Sequence, residues 1–254
     1  MKVVLLGSGN VATHLALALK AKGEDIVQVY SPNLINAGNL AEKVESAAIN
    51  DLSKIDQHAD LYLISVKDDA IEQVAASLKQ VKGLVVHTSG TTDVKLLSAH
   101  VAHSGVFYPL QTFSKNKDVD FKNIPLCIEA SDEKQLGILK QLANKLSEKV
   151  YEIDGDKRKV LHLAAVFACN FTNHLYTLAN QVLSGHNLEF DIIRPLIAET
   201  ADKIKADLPE NVQTGPAIRH DESTIKAHLD RLKDMPELHN IYETLSNSIK
   251  LTYK

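Results

Sequence analysis

The chain has 254 residues, 44% of them hydrophobic and 24% charged, with a formal net charge of −4. That length buries a large core in one or two domains, and the composition is that of a globular protein. The weak negative balance and the lack of any Lys/Arg block argue against nucleic-acid binding, and no apolar run approaches a membrane span. Cys127 and Cys169 stand in unrelated contexts. They fit two reduced thiols in a cytoplasmic protein and give neither a disulfide framework nor Cys/His zinc spacing, so no metal site is expected. The first apolar residues run straight into a glycine turn, so no separate signal peptide is expected.

From Lys2 to Ala12 the chain reads Lys-Val-Val-Leu-Leu-Gly-Ser-Gly-Asn-Val-Ala, with Leu15, Leu17 and Leu19 following. This is strand, tight turn and helix. Gly7 permits the turn, Gly9 leaves room for a pyrophosphate, and Ala12 permits close helix–strand packing. The free N–H groups at the helix start, around Asn10 and Val11, suit phosphate. The alternative is a tight turn that binds nothing.

Gly23 stops that helix, and residues 25–30 read as a second strand ending in Tyr30-Ser31-Pro32-Asn33. An NAD-binding fold usually has an Asp or Glu at this point for the ribose 2′-hydroxyl. None is present, and Ser31 and Asn33 offer hydroxyl and amide groups, so NADP is favoured over NAD. Residues 39–46 suggest a short helix and 47–50 a small edge strand. Residues 59–66 form an apolar strand ending at Val66, with Asp68 or Asp69 expected to cap a helix over 70–78. A further strand at 82–87 breaks into His87-Thr88-Ser89-Gly90. Residues 105–113 are a strand running into a loop, 124–129 another strand, 132–146 a helix and 149–153 a last strand. Strands alternating with helices imply a doubly wound parallel sheet. The first domain is expected to cover residues 1–154.

The character then changes. Residues 157–183 lack Gly and Pro and repeat apolar residues at helical spacing, with further helices over 190–208, 221–232 and 236–251. Residues 155–254 are therefore an all-helical second domain.

Ligands of open parallel sheets lie beyond the carboxyl ends of the strands. That selects Gly7, Gly9, Asn10, Val11, Ala12, Ser31, Asn33, Val66 and Ser89 as cofactor contacts. A hydride carrier leaves the protein to orient the substrate and move one proton. His87 stands at a strand end, either touching nicotinamide or substrate, or satisfying loop backbone. Ser89 and Gly90 look like backbone donors, and residues 108–113 either floor a substrate pocket or pack as a loop. On the long helix His162, Val166, Asn170, Asn173 and His174 recur on one face, as substrate donors or as a buried polar network. Arg219, beside the natural N-cap Asp221, suits a carboxylate.

Gly-Ser-Gly-Asn-Val-Ala at 7–12, His-Thr-Ser-Gly at 87–90, Tyr-Pro-Leu-Gln-Thr-Phe at 108–113, His162 with Asn170, and Gly-Pro-Ala-Ile-Arg-His-Asp at 215–221 resemble one bacterial family. Its members join a Rossmann-like domain to a helical domain of unassigned function. They are provisionally named NADP-dependent oxidoreductases, sometimes coenzyme F420-dependent. The pattern is also similar to pyrroline-5-carboxylate reductase, ketopantoate reductase and 6-phosphogluconate dehydrogenase-like enzymes. The hydroxyacid dehydrogenases among these place a Lys four residues before an Asn. If Asn170 is that Asn, the position holds Val166, which leaves His162 as the substitute. Nothing in the sequence distinguishes an F420 site from a substrate pocket.

The resemblance implies homodimerisation and an NADP-dependent reductase of a small ketone, a keto acid such as ketopantoate, or an imine. His162, Asn170, His87 and Arg219 are its expected catalytic residues, with His162 delivering the proton. The other reading is a non-catalytic NADP-binding sensor.

Overall fold

A computed structural model describes residues 1–114 and 117–253. The chain divides into two compact units, Met1–Cys169 and Asn170–Lys254. The first opens with β1 (Lys2–Leu6), α1 (Asn10–Ala21), β2 (Asp25–Tyr30), α2 (Leu34–Val44) and β3 (Ala47–Ile49). It continues through β4 (Leu61–Ile64), α3 (Ile71–Ala76), β5 (Leu84–His87), α4 (Val94–Ser98) and β6 (Ser104–Pro109). It closes with β7 (Leu126–Ala130), α5 (Glu133–Leu146), β8 (Val150–Glu152) and α6 (Gly155–Ala165). Thus α6, which follows the expected boundary at 154/155, clusters with the sheet.

The eight strands form one sheet in the order β3-β2-β1-β4-β5-β6-β7-β8. Successive side chains point to opposite faces, so β1 sends Val3 and Leu5 into one core and Val4 and Leu6 into the other. The first core takes Leu15 and Leu19 of α1, Leu40 of α2 and Leu139 and Leu142 of α5. The second takes Ile71 and Val74 of α3 and Leu97 of α4. Both faces are covered, as a doubly wound sheet requires.

One pairing departs from the expected all-parallel sheet. β6 and β7 are antiparallel, with Val106 opposite Glu129 and Tyr108 opposite Cys127, while β7 and β8 are again parallel. Among the described residues between β6 and β7 the only regular element is a 3-10 turn (Phe121–Asn123), with no crossover helix.

Local capping explains the other differences. α2 begins five residues earlier than expected because the Asn33 carboxamide oxygen accepts from the N–H groups of Ile35 and Asn36, at 2.9 and 3.3 Å. α4 was not expected, and it starts where the Asp93 carboxylate accepts from the N–H of Lys95 at 2.9 Å. Asp132 caps α5, its carboxylate accepting from the N–H of Gln135 at 2.9 Å. Asp68 and Asp69 do not cap α3. They form a 3-10 turn ahead of it (Asp68–Ala70), and Asp68 instead accepts from the Thr91 hydroxyl at 2.6 Å.

The second unit holds α7 (Thr172–Ser184), α8 (Arg194–Ala206), α9 (Pro209–Val212), α10 (Glu222–Arg231) and α11 (Pro236–Thr252), with no strand among its described residues. The expected continuous helix over 157–183 is instead α6, a π-helical segment (Val166–Phe171) and α7. The π turn interrupts the three- and four-residue spacing on which one face through His162, Val166, Asn170, Asn173 and His174 was expected. Asp221 caps α10, accepting from the backbone and hydroxyl of Thr224. Among the described residues no helix is long and apolar enough to cross a membrane.

Candidate active site

The carboxyl ends of β1, β2, β4, β5 and β6 open into a cleft of ≈ 940 Å3 built wholly from the first unit. At β1 the chain turns at Gly7, whose φ of +129° suits only glycine, and a Cβ there would lie 2.2 Å from the Ser65 carbonyl oxygen. Gly9 has no protein atom within 4 Å of where a Cβ would stand, and it lines the cleft with Asn10 and Val11. No side chain caps α1, and its first turn carries no acidic residue. Its leading N–H groups are therefore free to meet an anion, which fits a dinucleotide pyrophosphate. Ala12 is fully buried in the core and does not line the cleft.

At β2, Ser31 lines the cleft and its hydroxyl accepts from the Ser8 hydroxyl at 3.0 Å. Asn33 lies beyond the lining, with its carboxamide oxygen used to cap α2. Val66 and Lys67, after β4, line the opposite wall. Lys67 is the only Lys or Arg on the lining among the described residues.

The segment after β6 is fastened to α1. The Asn10 amide donates to the Phe113 carbonyl at 2.8 Å and His14 Nε2–H to the Ser114 carbonyl at 2.9 Å, while the His14 ring stacks on Phe113. This carries Pro109 and Gln111 along the wall of the cleft.

The β5 loop is tied internally. His87 is fully buried and not part of the lining. Its Nδ1 accepts from the N–H of Ser89 at 3.2 Å, which leaves the proton on Nε2, a buried atom with no partner. Burial, and then the charge of Arg158, hold its pKa down to about 4. The Ser89 side chain in turn accepts from the N–H groups of Thr91 and Thr92. Of the two loop amides expected to face an anion, that of Ser89 is therefore already committed.

His162, one residue of the second wall, comes from α6. Its Nδ1 lies 3.1 Å from the Tyr108 hydroxyl, with the rings edge to face, and both residues line the cleft. Burial pushes the Tyr108 phenol up to about 12. The pair fits only because Gly90 faces it. A Cβ at Gly90 would stand 2.6 Å from Nδ1 of His162 and 3.0 Å from the Tyr108 ring. Position 162 is fixed one helical turn earlier, where the fully buried Arg158 pairs with Glu129 of β7 and donates to the Thr92 carbonyl at 2.6 Å.

Sequence reasoning missed Arg158 and gave Tyr108 no individual role. An arginine four residues before His162 on one helix face was the available signal for the first, and the strand-end rule for the second. Asn170 and Arg219 belong to the second unit. Asn170 sits in the π-helical segment, and Arg219 is an exposed residue two before the α10 cap. Among the described residues no group of three or more His, Cys, Asp or Glu could hold a metal ion.

A doubly wound sheet with a glycine turn and an uncapped helix start at its carboxyl edge defines a Rossmann-like fold of the nicotinamide-dependent class. Residues 2–89 match the family described as NADP oxidoreductase coenzyme F420-dependent, and residues 124–249 match a domain of unknown function, DUF2520. The chain is similar to a Bacteroides fragilis protein provisionally named an NADP oxidoreductase, with 49% identity, 98% of this chain and 97% of that one covered, and a TM-score of 0.93. It therefore belongs to this NADP oxidoreductase family. A Thermotoga maritima protein shares the fold at 24% identity and TM-score 0.75, covering 99% of this chain and 98% of that one. So does the 1-pyrroline-5-carboxylate reductase of Streptococcus pyogenes, at 12% identity and TM-score 0.65 with 98% of each chain covered. No curated protein matches the chain.

Proposed function

We propose that the protein is an NADPH-dependent reductase of a small ketone, keto acid or imine, ketopantoate being one candidate. The observation that carries this reading is the cleft itself. It runs from a phosphate-suited helix start to a hydrogen-bonded Tyr–His pair, so binding and proton chemistry share one wall-to-wall space. Gly9, Asn10 and Val11 would hold the pyrophosphate, and Ser31 the 2′-phosphate. The β2 end carries no carboxylate to repel that phosphate, and Lys67 adds an ammonium group to the lining. The nicotinamide supplies the hydride when bound. The chain's own task is to orient the acceptor near Thr88 and Gly90 and to provide one proton, which His162 supplies.

His87 is buried, off the lining and neutral at physiological pH. That supports a scaffold role for it rather than proton transfer. We also read the protein as a homodimer through its helical unit. α7 and α8 bury none of their residues, and Leu188, Ile192, Leu196 and Ile204 stand exposed.

The test is NADPH oxidation against a panel of ketones, keto acids and cyclic imines, with NADH in parallel. Turnover with NADPH is expected, and His162→Ala should lower kcat roughly 100-fold or more, the usual worth of a positioned general acid, with NADPH affinity retained. Asn170→Ala and Arg219→Ala report whether the helical unit takes part in turnover. Tight NADPH binding without oxidation of the cofactor on any acceptor would replace this reading with that of an NADP sensor.

A further inference from the structure

We propose that Tyr108 is the terminal proton donor of this site and that His162 recharges it through their hydrogen bond. The inference rests on the reductase reading above and names the route of its proton.

A phenol hydroxyl has one hydrogen and two lone pairs. While His162 is neutral and Nδ1 is bare, that hydrogen points at Nδ1, 3.1 Å away. A charged imidazole carries hydrogen on both nitrogens. Nδ1–H must then donate to the phenol oxygen, and the phenol hydrogen swings off that line. Tyr108 lines the cleft, so the displaced hydrogen is available to a bound acceptor.

The order of basicities favours the same direction. The alkoxide that develops on a reduced carbonyl is a stronger base than phenolate. The phenolate of Tyr108, whose phenol is raised to about 12 by burial, is in turn a stronger base than imidazole. Both transfers run downhill. The space is reserved for them, because any side chain at position 90 would displace His162 or Tyr108.

In the balanced step, the two electrons and the hydrogen taken up at the carbonyl carbon are those that a bound reduced nicotinamide would supply. The C=O π pair moves to oxygen, which takes the Tyr108 proton. The Nδ1 proton of His162 passes to the Tyr108 oxygen, and solvent returns one proton to His162.

The experiment compares wild type, Tyr108→Phe, His162→Ala, the double variant and Gly90→Ala. On the best acceptor of the panel, Tyr108→Phe should lower kcat roughly 100-fold or more with NADPH affinity retained. The double variant should be little worse than either single one, because the two groups act as a unit. Gly90→Ala should lose turnover although both side chains remain. Independently of activity, histidine ring 15N NMR of the cofactor-free protein should show the His162 Nδ1 resonance displaced by Tyr108→Phe. Full turnover in Tyr108→Phe alongside a dead His162→Ala overturns the route and makes His162 the direct donor. An unmoved Nδ1 resonance overturns the pair. Wild type that binds NADPH but reduces nothing in the panel sinks the reductase reading itself, an outcome distinct from both.

Discussion

The central strands of the sheet and the helices α7 and α8 treat their apolar residues in opposite ways. In the sheet-bearing unit Val3, Val4, Leu5 and Leu6 are all fully buried, split between two cores that α1, α2 and α5 cover on one side and α3 and α4 on the other. In the helical unit α7 and α8 bury nothing, and Leu196 and Ile192 stand 66% and 64% exposed. A strand flanked by crossover helices names the surfaces that will cover it, because both lie in the same sequence. A helical stripe says only that one face needs cover. The sheet is therefore covered on both faces by helices of its own unit, whereas α7 and α8 leave apolar residues exposed.

The sharpest way to break the first unit is through its one fully buried guanidinium. Arg158→Leu leaves Glu129 and the Thr92 carbonyl without their partner, and removing one member of a buried pair costs about 3–5 kcal/mol. Urea unfolding of the full chain should show that loss. Adding Glu129→Gln should recover part of it, whereas equal stability of the two variants would deny the pairing its importance.

A smaller effect belongs to His87, whose pKa burial holds down to about 4 in the fold, below the ordinary imidazole value of about 6.5. Between those pH values the unfolded chain binds a proton that the folded chain refuses. The stability is full above the upper value and is lost as pH falls toward the lower one, by about 3 kcal/mol in all. His87→Asn keeps an acceptor for the Ser89 N–H and never ionises, so its unfolding free energy should vary less between pH 7 and pH 4.5. An unchanged pH dependence would locate the titration elsewhere.

The smallest stability change is expected in the helical unit. Leu196→Asp, at an exposed site, should alter denaturant unfolding of the isolated protomer by no more than about 0.5 kcal/mol. Sedimentation velocity should nevertheless show dimer giving way to monomer. A monomeric wild type at the same concentration would remove the proposed interface.

Much of the sheet was legible because its signals are local: apolar runs, and the glycines Gly7 and Gly23. α4 and the true start of α2 were hidden because Asp93 and Asn33 look like loop residues until the N–H groups they accept from are seen. The π-helical segment was hidden for another reason: no Gly or Pro marks it, and an α period fits its residues equally well. In the site, the glycine turn and His162 could be picked out from type and spacing. The contact between Tyr108 and His162 joins residues 54 positions apart and depends on the missing side chain of Gly90. No single-sequence pattern encodes that.

The reversed strand β7 has a geometric consequence for the cleft. Had β7 and β8 kept the direction of the other strands, α6 would begin at the cleft edge and run away from it. Because they point the other way, α6 starts at the far edge and climbs alongside β6. Arg158 grips Glu129 at the level of Val106, and His162 reaches Tyr108 two strand residues higher. Two strand residues advance about 6.6 Å and four helical residues about 6 Å. Strand and helix thus act as two rulers graduated differently but read off at the same marks, and inverting one edge strand aligns them.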